Sequence, residues 1–128
     1  FEVDALLNVV NFADRHTYNF EKQVWTVANR LNLGLIAMKV FGGELKSGGM
    51  GLSHCLMPLP HLDLAFRYAL SVPQVTCAVI GMATPRELQD NLLRARTFSP
   101  LNAREGKNLM KVGHTLASEW GPHFGSLV

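Results

Sequence analysis

No stretch of these 128 residues is long and apolar enough to suggest a membrane span. The richest segments are interrupted at Asn11, Lys39 and Gly81, well short of the roughly 18 consecutive apolar residues a spanning helix needs. Cysteine is scarce: Cys55 and Cys77 form no C-x-x-C pair and build no disulfide framework, so they read as reduced thiols of a cytoplasmic protein. A run of one charge sign is missing as well. Twelve Lys and Arg stand scattered against ten Asp and Glu, for a net charge of +2, which leaves nucleic-acid binding without an electrostatic footprint. What is present is the composition of a packed globular chain, 48% apolar and 17% charged, which excludes a disordered one. The chain opens on Phe1 and runs straight into an apolar segment with no leader, so material upstream is expected to be missing.

The apolar segments come in three strand-helix units. Val3 to Phe12 is nearly unbroken apolar, as in a strand buried on both faces, with Asn8 the only polar residue between Asp4 and Asn11. From Asn19, read as an N-cap, Phe20, Val24, Val27, Ala28 and Leu31 recur at helical spacing until Leu33-Gly34. Leu35 to Phe41 is a second strand, and the glycine-rich stretch from Gly42 to Pro58 is a loop. Leu62, Ala65, Phe66, Ala69 and Leu70 form the stripe of a second helix between Pro60 and Pro73. Val75 to Met82 is the third strand. Thr84-Pro85-Arg86-Glu87 is a capping box that starts a third helix, and Asn102 with Glu105 repeats it more weakly before a last helix bearing Leu109, Val112, Leu116 and Trp120. Residues 101–128 thus form a C-terminal helical extension with a loose tail from Gly121, within one domain spanning 1–128. Strand-helix repetition predicts adjacent parallel strands at about 4–10, 35–40 and 76–80, helices on one side and two unpaired sheet edges. On periodicity alone a doubly wound sheet and a slice of barrel are equally good.

The wording of three segments, DALLNVVNFADRH, GLIAMKVFGG and RYALSVPQVTCAVIGMATPRELQDNL, resembles the aldo/keto reductase superfamily, in its bacterial Met-Lys branch. The likeness covers residues 3 to 98 and falls on the last three strands of that family's (β/α)8 TIM barrel. It implies the C-terminal half of an NADP-dependent or NAD-dependent oxidoreductase that reduces a carbonyl substrate. The family's Asp, Tyr, Lys and His tetrad belongs to the other half, so no catalytic residue is carried over and the chain alone is expected to be inactive. The partners implied are the nicotinamide cofactor, a small carbonyl compound and the missing N-terminal half, or another copy at the exposed edges.

The cofactor site is carried over residue by residue. Met38 stands where the family often stacks an aromatic ring on the nicotinamide. Lys39, Phe41, Gly42 and Gly43 match the approach to the pyrophosphate, where missing side chains bring amides close to phosphate oxygens. Gly81, Met82, Ala83 and Thr84 lead into a capped helix whose amides and dipole suit an anion. Asn91 matches the family asparagine that holds the adenine. Glu87 occupies a position commonly filled by Arg or Gln near the ribose, a departure that opposes a 2′-phosphate and leaves NADPH against NADH open. Each feature has a plainer reading beside it: Met38 as barrel lining, the glycines as a mobile loop, the capping box as a helix start.

Other constellations carry less. His54, Cys55 and His61 fit no zinc spacing, so no metal site is assigned. Asp14 with His16 and Asp63 with His61 read as solvated surface. A non-catalytic barrel remnant serving as an assembly or binding module stands as the alternative function, and other phosphate-binding barrels also place phosphate after their last two strands.

Overall fold

The computed structural model describes residues 2–44 and 54–126. Three parallel strands carry the fold: β1 (Ala5–Val9), β2 (Gly34–Met38) and β3 (Val75–Ala78), hydrogen-bonded in the order β1-β2-β3. Leu6 lies opposite Leu35 and Asn8 opposite Ala37. Between Leu35 and Ile36 the register slips past Thr76, then resumes with Ile36 opposite Cys77 and Ala37 opposite Ala78. The three-unit pattern therefore produced the parallel sheet it predicts, and among the described residues β1 and β3 are its edges.

The first helical segment runs longer than expected. An additional short helix, α1 (Asp14–Tyr18), precedes Asn19, and the expected helix follows as a π-helical turn at Glu21–Trp25 continued by α2 (Thr26–Arg30). Asn19 ends α1 in the left-handed region, φ 55°, rather than capping the next helix with its side chain. A capping side chain needs extended backbone, whereas asparagine tolerates the left-handed turn that closes a helix. Its carbonyl still accepts the amides of Lys22 and Gln23, at 3.1 and 3.3 Å. Trp25, buried in the π-helical turn, donates Nε1–H to Asn8 Oδ1 at 2.8 Å, which satisfies the polar residue of β1. Asn32, φ 55°, makes the turn after α2, and Gly34 is already the first residue of β2.

Helix α3 (Leu62–Ser71) buries Leu62, Ala65, Phe66 and Ala69 as its stripe predicts, with Tyr68 added. Helix α4 (Pro85–Arg96) begins at the Thr84 cap, and α5 (Ala103–Trp120) has the complete capping box at Asn102 and Glu105, with both bonds 2.9 Å. Glu105 also accepts two bonds from Arg67 at 2.8 and 2.9 Å, fixing the start of α5 to α3. Gly113 lets α5 approach the chain leaving β1: a Cβ there would overlap the Phe12 carbonyl oxygen and lie 3.0 Å from its carbon. The tail expected to be loose is tied down at two residues, His123 to the Gly121 and Gly42 carbonyls and the Phe124 amide to Tyr18 Oη, while Pro122 and residues 124–126 stay exposed.

Burial alternates along β1 and β2, against the expectation of strands covered on both faces, while in β3 both Thr76 and Cys77 are exposed. Leu35 and Ala37 are fully buried beneath the helices, while Leu7 on the opposite face and Val79 just past β3 are each 55% exposed. Among the described residues, helices pack against one face only, so only alternate side chains of β1 and β2 leave water. Helix α4 is similarly bare: Leu88, Leu92 and Leu93 are exposed, and Asn91 is its one buried residue. No helix among the described residues is long and apolar enough to cross a membrane.

Candidate functional site

The carboxyl ends of β2 and β3 open on a cleft of about 250 Å³ lined by Met38, Lys39, Phe41, Gly43 and Gly81, together with Cys55. Its shape is set by the turn after β2. Lys39 adopts φ 52°, and its carbonyl accepts from the Gly42 amide at 2.8 Å and Asn11 Nδ2 at 3.1 Å. Gly42 and Gly43 follow with φ of 80° and 81°, two consecutive left-handed residues that only glycine adopts without strain. A Cβ on Gly42 would also stand 2.7 Å from the Trp120 ring. The glycine-rich loop leaves through a short ladder: Leu56 N–H donates to Gly43 O, Met57 N–H to Phe41 O, and Glu44 bridges Cys55. Residues 45–53 of that loop lie outside the described residues. Burial pushes the Cys55 thiol upward, so it stays protonated where an ordinary thiol begins to ionise.

Five of the eleven residues expected at a cofactor site meet in this cleft. Gly42 lies beneath Trp120, and Met82, Ala83 and Thr84 are exposed on the way to α4. The start of α4 is less open to an anion than expected. Glu87 turns back so that its carboxylate accepts the Ala83 amide at 2.7 Å, and Thr84 Oγ1 accepts the Glu87 amide at 3.2 Å. Pro85 has no amide to offer. Two donors that would meet a phosphate are thus capped by the chain's own side chains. One turn on, Asn91 is 7% exposed, its Oδ1 accepts from Arg94 at 2.9 Å, and its Nδ2 has no partner among the described residues.

No family model, curated protein or solved structure matches the chain. The site therefore rests on its own geometry.

That geometry includes residues the sequence reading passed over. Asp14, expected on the solvated surface, is 1% exposed beside the equally buried Asn11, and desolvation pushes its carboxyl upward against the opposing pull of Asn11 and His123. Its sequence partner His16 instead meets His114 edge to face. Burial, then the charges of Arg15 and His114, lower the His16 imidazole. Trp120 and His123 reach Gly42 from the far end of the chain, a contact to which sequence spacing gives no clue. Asp63 is exposed and His61 half-buried beside Phe12, with no acid-base pairing between them. No group of three metal-ligating side chains forms among the described residues.

Proposed function

We propose that this chain is the cofactor-binding half of an aldo/keto reductase-type oxidoreductase, a slice of (β/α)8 barrel completed by a half that carries the catalytic tetrad. The observation that carries the reading is the strand-end cleft, which gathers Met38, Lys39, Phe41, Gly43 and Gly81 at the position where α/β folds bind ligands. The uncovered sheet face supports it, because Leu7 and Val79 are apolar residues of a barrel interior left without its opposite wall.

The residues fit a nicotinamide cofactor in part. The cleft, at about 250 Å³, lies below the roughly 300–1,000 Å³ of ligand pockets, so it suits one end of a dinucleotide and needs the other half to close. Asn91 Nδ2, buried and unpartnered, suits an acceptor on an adenine ring. Glu87 opposes an added 2′-phosphate by charge, and its bond to Ala83 holds it at the helix start. NAD(H) is therefore the better fit. When bound, the cofactor supplies the hydride, while this chain's residues orient its ring and exclude water.

Titration of the chain with NADH and NADPH by saturation-transfer NMR tests the proposal. NADH is expected to bind, and Asn91→Ala to weaken it by roughly five- to tenfold, the worth of about one hydrogen bond. Glu87→Gln is expected to improve NADPH relative to NADH. Absence of saturable binding by either cofactor overturns the reading. A second reading, an assembly module without catalysis, is favoured by the exposed Leu88, Leu92 and Leu93 of α4, which offer an apolar docking stripe.

A further inference from the structure

A cluster beside the cleft is not needed for cofactor binding. Asn11 and Asp14, each 1% exposed, lie where β1 runs into α1. Asn11 Oδ1 accepts the amides of Ala13 and Asp14 at 3.0 and 2.8 Å, and its Nδ2 donates to Asp14 Oδ2 at 2.5 Å. The other carboxylate oxygen, Asp14 Oδ1, has no hydrogen-bond partner among the described residues and faces His123 Nε2 at 3.6 Å.

His123 stands among acceptors. Its Nδ1 is 3.1 Å from the Gly121 carbonyl and its Nε2 is 3.1 Å from the Gly42 carbonyl. A neutral imidazole has one N–H and would turn a lone pair toward one of these oxygens, whereas the imidazolium donates to both. The ionisable groups around His123 come from three parts of the chain. Asp14 and the edge of the Tyr18 ring come from α1, Lys39 and Glu44 from the segment after β2, and Glu119 from α5. That is three carboxylates against one ammonium. Arg15 is turned away, onto Glu21 and Tyr68.

We propose that Asp14 and His123 form a proton-dependent clasp, closed while the imidazole is doubly protonated, which holds the C-terminal segment Gly121–Ser126 down on the Gly42–Gly43 turn. The same segment seats Trp120 over Gly42 and donates the Phe124 amide to Tyr18 Oη at 2.6 Å. Gly43 lines the strand-end cleft, so the clasp couples the charge on one imidazole to the shape of the cleft wall. The buried Asp14 side chain, held in place by Asn11, is the fixed half of the device and attracts the imidazolium once its own raised carboxyl has ionised; the tail is the other half. When His123 loses a proton, one of its carbonyl contacts turns repulsive and the attraction to Asp14 disappears. The inference stands on these contacts and not on the identity of any cofactor.

The test uses the full 128-residue chain. Nitrogen-15 NMR of the His123 ring, followed from about pH 5 to about pH 8 across the ordinary histidine range, is expected to show both nitrogens protonated on the acid side. Protection of the amides of residues 121 and 123–125, measured against the intrinsic base-catalysed exchange rate at each pH, is expected to fall with the loss of that proton, by about tenfold for each pH unit beyond the transition. His123→Gln should remove the transition and leave protection low throughout, whereas His114→Gln should leave it intact. Asp14→Asn should shift the His123 transition toward acid pH. Should that variant fail to fold, the wild-type titration and the two histidine variants decide. A single neutral tautomer across the range, or protection in His123→Gln equal to wild type, overturns the clasp.

Discussion

Gly113 and Asp14 show how much a single position can carry in so small a chain. Gly113 has no side chain because the Phe12 carbonyl occupies the space a Cβ would take, and neither backbone can move without displacing α5 from the sheet end. Gly113→Ala is expected to destabilise the fold by about 1–3 kcal/mol, the usual cost of overpacking, read as a lower urea midpoint. Asp14 acts through charge. Burial raises its carboxyl, so the folded chain retains a proton that the unfolded chain has already released. Its contribution to stability is therefore greatest below the ordinary carboxylate range and is lost as pH rises through the raised value. Asp14→Asn should flatten that decline in urea midpoints measured from about pH 4 to about pH 7, the window set by the ordinary aspartate value and neutrality. Neither role shows in the sequence, where Asp14 looks like a polar residue at a helix start and Gly113 like a weak point in a helix.

At the scale of elements, local signals worked where the local chemistry was complete. Thr84-Pro85 and Asn102 each start a helix at the expected residue, because a cap answers to amides two or three residues away and to nothing farther. Asn102→Ala should cost about 1 kcal/mol, visible as a lower melting temperature and faster amide exchange in the first turn of α5. Glu105 has the opposite pH signature to Asp14. Its hydrogen bonds from Arg67, then from the Asn102 amide, hold the carboxyl below the usual range, so its stabilisation is present above the ordinary value and lost as pH falls through the lowered one. Glu105→Gln should remove that acid-side loss. The short helix before Asn19 was not legible, because asparagine serves both as an N-cap and as a left-handed terminator, and here it closes α1 at φ 55°.

For the whole molecule, the decisive feature is a sheet with one bare face. Leu7 and Val79 leave apolar side chains exposed on that face, and Leu88, Leu92 and Leu93 leave more on α4; exposed apolar surface is where an interface is expected. Sedimentation equilibrium of the purified chain is expected to show concentration-dependent association, reduced by Leu7→Lys combined with Val79→Lys. A strictly monomeric chain at high concentration would count against an interface there. The proposed function adds a further expectation, that the chain alone reduces no carbonyl substrate above background with either cofactor, since it holds no tetrad. Turnover abolished by one substitution within the chain would overturn it.

The parallel order of the strands and the starts of α4 and α5 followed from the sequence alone. Each depends on short-range pattern: apolar runs alternating with helical stripes, and cap residues three apart. Tertiary structure decided the rest. Which strand face is wet depends on what packs over it, and whether Asp14 is buried depends on a tail more than a hundred residues away. The Glu87 carboxylate settled on its own helix amide, and Trp120 and His123 settled on Gly42. Contacts across that distance leave no periodicity in the chain, because they are fixed by the packing of α5 against α1 and not by spacing along the sequence.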